Sequence, residues 1–464
     1  MSITSFESAV AHEIDLFKQR HPKSRALSED SQRHFLFGLP MHWMQDWPMP
    51  YTLHIQEAKG SRLLDADGHT YIDFCLGDTG AMFGHSPNVW AQEVSAQLAR
   101  GMTAMLPSAE LPRLGLALTE RFGMSHWQMA LSASDANRFL LRWARAVTKR
   151  PNILVFDGCY HGAVDDTLVD CDVHGHTVPR PSMLGQVHNH HERTRVVPFN
   201  DLNALEFALR DSQVACLLAE PALTNCGMVL PDIGFWEQAQ TLCQRYGTLL
   251  CIDETHTLST GLGGYCQTHG LTPDALVMGK AVAGGWPCAL YGVRASLAQD
   301  MMDAKAAAPS GHSGIGTTLT GGLLTTHALI AALDHLLNQA NYDHMITLCH
   351  ALNGGLQSRI KANNMPWTVT QLGARLELQF MPNPARHAED IRRADQTELE
   401  QYLHLFMINR GIVLTPFHNM MLCAPTTTLD DVHVFLNAFE EWIQQVKPWF
   451  ALDAERHSFT KPLQ

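Results

Sequence analysis

Between about residues 85 and 330 the chain alternates stretches of helical period with short, continuously apolar runs: NILVF, ACLLAE, TLLCIDE and ALVMGK. A run with no polar face reads as a strand covered by helices on both sides, so these segments predict an α/β unit built on a mostly parallel sheet. Upstream, SRLLDADGHTYIDFCLG predicts a hairpin. Its β-rich runs, Ser61–Leu64 and Tyr71–Cys75, flank a turn at Asp65-Ala66-Asp67-Gly68-His69, where Asp-Gly favours positive φ. The first sixty residues mix Trp, Met and Pro without a clear period, which predicts an irregular arm lying over other surfaces. After Leu333 the apolar runs shorten (GARLELQF, GIVLTP) between amphipathic helices, as in a smaller α+β domain. The expected division is an N-terminal arm and hairpin of the small domain over 1–84, a large domain over 85–330 and a C-terminal small α+β domain over 331–464.

Composition narrows the possibilities. The chain has 464 residues, 45% of them hydrophobic, which is ample apolar material for a folded core. Charged residues make up 17% against a norm of roughly 25%, a pattern that fits a surface partly hidden between subunits. The net charge of −13, with no basic cluster, argues against nucleic-acid or anionic-membrane partners. No secretory leader or membrane-spanning run is visible, so the expected location is cytoplasmic. The eleven cysteines never fall in a C-x-x-C pair and read as small apolar residues, not as a disulfide framework or a zinc knuckle.

The sharpest candidate for chemistry is Lys280, which ends the run DALVMGKAVAGGWP with no charged neighbour closer than Asp274. Desolvation disfavours an ammonium and favours the neutral amine that forms a Schiff base; a lysine snorkelling from a strand end is the plainer alternative. Asp253 and Glu254 sit at the C-terminal end of TLLCIDE, the edge where open α/β sheets bind ligands. They are candidates for metal binding, for acid/base work, for holding a protonated ring nitrogen, or for capping the next segment. Ser132 and Ser134 precede a helix with apolar positions Ala136, Leu140, Trp143, Ala144 and Val147, so its first turn is either a phosphate site or an ordinary serine cap. Tyr160 and His161 stand between two glycines in LVFDGCYHG, where an aromatic can stack on a planar ligand or simply fill a corner. A lysine for a Schiff base, a carboxylate for a pyridinium, a helix start for a phosphate and an aromatic for stacking are together the demands of pyridoxal 5′-phosphate.

The sequence resembles the class III aminotransferases of the fold type I pyridoxal-phosphate enzymes, in particular their glutamate-1-semialdehyde aminomutase-like branch, from about Gly60 to Thr428. The hairpin matches D-x-D-G-x-x-Y-x-D-F at Asp65, Asp67, Gly68, Tyr71, Asp73 and Phe74. The phosphate loop matches at Ser132-Ala133-Ser134-Asp135-Ala136-Asn137, followed by Tyr160-His161-Gly162, Glu220-Pro221 and Asp253-Glu254-Thr255. The lysine motif matches at Lys280 with Gly284, Gly285 and Pro287, and the loop that reaches the phosphate from the other subunit at Thr318 to Gly322. The resemblance implies a large domain with a seven-stranded-type, mostly parallel sheet, pyridoxal 5′-phosphate as cofactor, and a homodimer with shared active sites. It places Lys280 and Asp253 in catalysis, and Ser132, Ala133, Ser134, Tyr160, His161, Glu220, Asp253, Thr255, Lys280 and Thr318 around the cofactor, with Glu254 supporting the ring's surroundings. No metal is expected.

The departures bear on the substrate. Ala133 stands for a glycine, Asp135 for a glutamate and Thr255 for a valine, and His256 follows in an unusual ETHTLSTGLGG run, where it either moves a proton, contacts substrate or packs. The arginines that clamp carboxylates in relatives are replaced by LPMHWMQDW and TPFHNMMLCAP. Trp43, Trp47, Phe417 and Met420 then predict an apolar pocket, with Trp43, His256 and His418 as substrate contacts and Arg33, Arg375 or His418 as substitute polar anchors. Two decoys complete the picture: Gly261 to Gly264 lacks dinucleotide-loop spacing, and His188, His190 and His191 read as a solvated loop, not a metal site. The expected reaction is transamination of an amino acid or amine with a keto acceptor through a Schiff base on Lys280. An intramolecular aminomutase is next, followed by a racemase or epimerase, a decarboxylase, and a non-catalytic scaffold of the same fold.

Overall fold

The structure, a computed structural model, describes residues 5–186, 192–394 and 396–453. Its centre is a seven-stranded sheet in the order His126–Ala130, Ala289–Val293, Ala275–Met278, Leu249–Asp253, Val214–Ala219, Asn152–Phe156, Thr194–Val197. All pairings are parallel except the two made by Ala289–Val293, which runs against both neighbours. The four apolar runs expected as strands are strands, and Val214–Ala219 and Ala275–Met278 are buried along their whole length. The helix Ala133–Thr148 packs on the sheet through Ala136, Phe139, Leu140, Leu141 and Ala144, so its N-terminus is held at the carboxyl edge of the strands.

The hairpin forms as Arg62–Asp65 and Thr70–Asp73, extended on one side by Ile55–Lys59. Its other neighbour is Ile412–Val413, the only part of GIVLTP that is a strand. Its two ladder residues tie the C-terminal part of the chain to the hairpin. A separate three-stranded sheet, Thr368–Leu372, Arg375–Gln379 and Met420–Leu422, packs with the long helices Gln339–Ala362 and Leu429–Asp453 around a second core that includes Trp367, Leu376, Phe406 and Trp442.

The irregular arm expected over the first sixty residues is helical at Phe6–Arg20 and Pro22–Ser31, and irregular only beyond them. Ser5 and Ser8 form a reciprocal capping box at the first helix start. The buried stripe is Ala9, Glu13 and Phe17, and its middle member is a glutamate paired with Arg410 and Asn409, so the apolar period is broken in the sequence though the face is buried. The cysteines are unpaired, and all are buried except the half-buried Cys171 and Cys226. His188, His190 and His191 lie outside the described residues. Among the described residues no helix is long and apolar enough to cross a membrane.

Candidate active site

Five strands of the sheet deliver their following residues to one edge: Ser132 after Ala130, Tyr160 and His161 after Phe156, Glu220 after Ala219, Asp253 at the end of its own strand, and Lys280 just past Met278. These residues line a single cavity of about 1120 Å³, closed on the other side by Trp43, Trp47, Phe417 and His418. Ligands of open α/β sheets bind at this edge.

Asp253 is buried and accepts four hydrogen bonds: from Asn137 Nδ2 at 2.7 Å, His161 Nδ1 at 3.0 Å, and the backbone N–H and hydroxyl of Thr255 at 3.0 and 2.6 Å. Thr255, in the place of the family's valine, thus steadies the carboxylate. Burial opposes the charge of Asp253, but His161, Thr255 and Asn137 hold its pKa below the ordinary value. His161 moves the other way: burial disfavours its imidazolium, yet the Cys159 sulfur and the Asp253 carboxylate raise its pKa well above normal. Glu254, by contrast, does not line the cavity. It accepts the backbone N–H groups of Tyr265 and Cys266 at 2.5 and 2.7 Å, capping the helix that starts at Gly264. The capping alternative is the correct one for this residue.

The helix start is arranged differently from a plain cap. Ser132 Oγ accepts the N–H of Asp135 at 3.2 Å, and Ser134 Oγ accepts the N–H of Ala163 at 3.0 Å. The N–H groups of Ala133 and Ser134 have no protein partner among the described residues, which is the anion-binding arrangement of a helix N-terminus. Gly162, at φ +80°, allows the close approach of this loop, since a Cβ there would lie 2.0 Å from Ser134 Oγ.

Lys280 occupies the left-handed region at φ +49° and projects Nζ into the cavity. The wholly apolar surroundings expected for it are not what the fold supplies. Its Nζ donates to Asp78 Oδ2 at 2.5 Å and contacts His256 Nε2. Burial opposes ionisation of Asp78, but His256 and Lys280 hold its carboxyl well below the usual range. His256 is buried and its pKa is pushed down to about 3, by burial first and then by the Lys280 charge. The imidazole is therefore neutral near pH 7.

Tyr160 is 46% exposed and donates its backbone N–H to Glu220 Oε1 at 2.9 Å. His418 lines the cavity with Nδ1 on the Glu377 carboxylate at 2.8 Å. Trp43 and Phe417 meet edge to face at 5.9 Å. Met420, expected with them, is buried instead beside Leu76, Leu422 and Ala424. Thr318 is exposed and is not among the cavity-lining residues. Of the substitute anchors, Arg33 is exposed and paired with Asp30, and Arg375 lies beneath the cavity on Thr79 Oγ1 at 2.5 Å and the His256 carbonyl at 3.3 Å. No arginine lines the cavity among the described residues. Sequence reasoning passed over Asp78, Asn137 as a partner of Asp253, and Thr224; a lone acid between glycines in LGDTGAM was the available signal for the first.

An amine, an ionised carboxylate backed by His161, unpartnered N–H groups at a helix start and a half-exposed tyrosine around one cavity match, group by group, an aldehyde, a pyridinium, a phosphate and an aromatic ring. The fold and the site define a fold type I pyridoxal-phosphate enzyme. The chain belongs to the class-III aminotransferase family, whose model matches residues 44–443. A glutamate-1-semialdehyde aminomutase from Pseudomonas aeruginosa PAO1 superposes with a TM-score of 0.93 at 40% identity, over 95% of this chain and 98% of that one. A glutamate-1-semialdehyde aminomutase from the same organism, in complex with PMP, matches with 0.93 at 39%, over 95% and 98% of the two chains. An omega-transaminase from Sphaerobacter thermophilus matches with 0.83 at 26%, over 92% and 99%. In sequence, a glutamate-1-semialdehyde 2,1-aminomutase from Anaeromyxobacter sp. (strain Fw109-5) is 32% identical over 366 residues, 78% of this chain and 83% of that one. The cofactor of this enzyme is pyridoxal 5′-phosphate.

Proposed function

We propose that the protein moves an amino group within one small amino-carbonyl substrate, as an aminomutase, with Lys280 as the amine that holds the cofactor and then carries the substrate proton. The observation behind this reading is the Lys280 Nζ inside the cavity, at the sheet edge shared by Asp253 and the start of the helix at Ala133. When bound, pyridoxal phosphate supplies an aldehyde that takes up amines and a ring that accepts an electron pair from the substrate carbon. In this reading Asp253, held ionised, keeps the ring nitrogen protonated, and His161 and Asn137 orient that carboxylate. Ser132, Ala133, Ser134 and Gly162 would receive the phosphate, and Tyr160, Thr255 and Glu220, which line the same cavity, would surround the ring. Lys280 Nζ, neutral, takes a proton from the substrate carbon and returns it at a different position. Trp43, His256 and His418 face the substrate. Thr318 of a second copy completes the phosphate site of a homodimer, a role supported by its exposure here and by exposed Met105, Leu106 and Leu319.

The names of the relatives favour the intramolecular reaction over the keto-acceptor transamination expected at first. The second reading rests on one observation: among the described residues the cavity offers no arginine for the carboxylate of an amino acid, and its aromatic wall suits an amine. The test is to supply the cofactor-loaded enzyme with glutamate 1-semialdehyde alone, and separately with amines plus 2-oxoglutarate or pyruvate. Isomerisation without an added keto acid supports the aminomutase; turnover only with a keto acid overturns it in favour of transamination.

A further inference from the structure

Behind Lys280 runs a chain of hydrogen bonds that the roles above do not use. Lys280 Nζ contacts His256 Nε2, His256 Nδ1 lies 2.6 Å from Thr224 Oγ1, and Thr224 Oγ1 donates to Glu220 Oε2 at 2.7 Å. Glu220 is buried and also accepts the backbone N–H groups of Thr224 and Tyr160. Donor inventory fixes the direction of every link. An ammonium has only protons to give, so Nε2 accepts. The imidazole proton then sits on Nδ1 and is donated to Thr224, whose own proton goes to the carboxylate. Among the other groups about His256, Asp78 Oδ2 is 3.6 Å from Nε2, and Arg375 and Ser259 bind only the backbone carbonyl. The Asn225 amide lies 3.4 Å from Nδ1, and the order requires it to present its oxygen, not its NH₂, to the Nδ1 proton.

We propose that His256, Thr224 and Glu220 form a proton relay that strips Lys280 of its surplus proton and returns it. The proposal rests on Lys280 being the cofactor-carrying amine. In the forward sense the Nζ–H bond breaks as Nε2–H forms, the Nδ1 proton passes to Thr224 Oγ1, and the Thr224 proton passes to Glu220 Oε2. One ammonium and one carboxylate become a neutral amine and a carboxylic acid; His256 ends as the opposite neutral tautomer, and nothing is oxidised or reduced. A charged imidazole is never required, in keeping with a site that pushes the His256 pKa down to about 3 while burial raises that of Glu220. His256 is thereby a positioning and proton-passing residue for Lys280. The histidine after Thr255, which the family resemblance leaves unexplained, acquires a task.

The test reads cofactor uptake, not turnover. Cofactor-free full-length protein is mixed with pyridoxal phosphate, and the rate of condensation on Lys280 is followed by absorbance across pH. Thr224→Val removes the hydroxyl at constant shape and is expected to slow condensation about 10- to 100-fold at neutral pH, moving the acidic limb of the profile upward. Thr224→Ser restores the hydroxyl and is expected to recover most of the loss. A Thr224→Val profile that superposes on the native one overturns the relay while leaving Lys280 as the attachment site. A native protein that never condenses with the aldehyde overturns both. Should Thr224→Val not fold, ¹⁵N-histidine spectra of the native cofactor-free protein decide: the proposal requires the Nδ1–H tautomer at His256, and an Nε2–H tautomer refutes it.

Discussion

Asp253→Asn removes one charge at nearly constant shape, and the structure sets the size of the effect. The native carboxylate accepts from Asn137, His161 and, twice, from Thr255. An amide keeps one acceptor oxygen and turns its NH₂ towards N–H or O–H donors on the other side. Hydrogen bonds to a charged group contribute about 1.5–3 kcal/mol each, and neutralising one member of a buried pair costs roughly 3–5 kcal/mol. The cofactor-free variant is therefore expected to lose about 3–5 kcal/mol. The loss depends on pH. The folded pKa of His161 is raised, so its contribution is complete below its unfolded value of about 6.5 and fades as pH climbs through the folded value. The folded pKa of Asp253 is lowered, so its contribution is complete above about 3.9 and fades as pH falls through the folded value. The gap between native and variant protein is thus widest between about pH 4 and 6.5 and narrows above. Urea unfolding of both proteins, followed by tryptophan fluorescence over that range and up to about pH 9, measures it. A gap below about 1 kcal/mol, or one that does not change with pH, refutes the buried ion pair.

Three further outcomes are expected. Gly162→Ala places a Cβ 2.0 Å from Ser134 Oγ at φ +80°, so the helix start must shift; cofactor affinity, read by fluorescence titration, should fall at least tenfold, since strain of this kind costs on the order of 1–3 kcal/mol. Gly264→Ala brings its Cβ 2.3 Å from Glu254 Oε2 and should lower the melting point without changing cofactor affinity, because Glu254 caps a helix away from the cavity. Burial lowers the pKa of His418, but Glu377 outweighs it and the net shift is upward. The pair's stabilisation is complete below about pH 6.5 and lost above the folded value, so Glu377→Gln should remove that pH dependence and bring the His418 titration down in an NMR experiment.

Residues whose chemistry is local were legible in the sequence. Lys280, Asp253 and the helix start at Ser132 each end a strong apolar run or open a periodic one, and parallel strands must deliver their C-terminal ends to one edge. What escaped is what long-range packing decides. Asp78 sits in a turn with left-handed backbone at Leu76, Asp78 and Thr79, and nothing in LGDTGAM says that this turn folds over Lys280, 202 residues away. Thr224 and His256 are 32 residues apart and meet only because neighbouring strands end side by side. The helix Phe6–Arg20 was hidden by Glu13, a buried charge paired across nearly the whole chain with Arg410. Thr255 was visible as a departure from the family, and the structure supplies its purpose, two hydrogen bonds to Asp253.

The most direct test of the account is chemical: load the protein with pyridoxal phosphate, reduce with borohydride, digest, and locate the added mass. The account predicts one modified peptide, with the pyridoxyl group on Lys280, and none in Lys280→Ala. A modification on another lysine, or no stable adduct in the native protein, contradicts it.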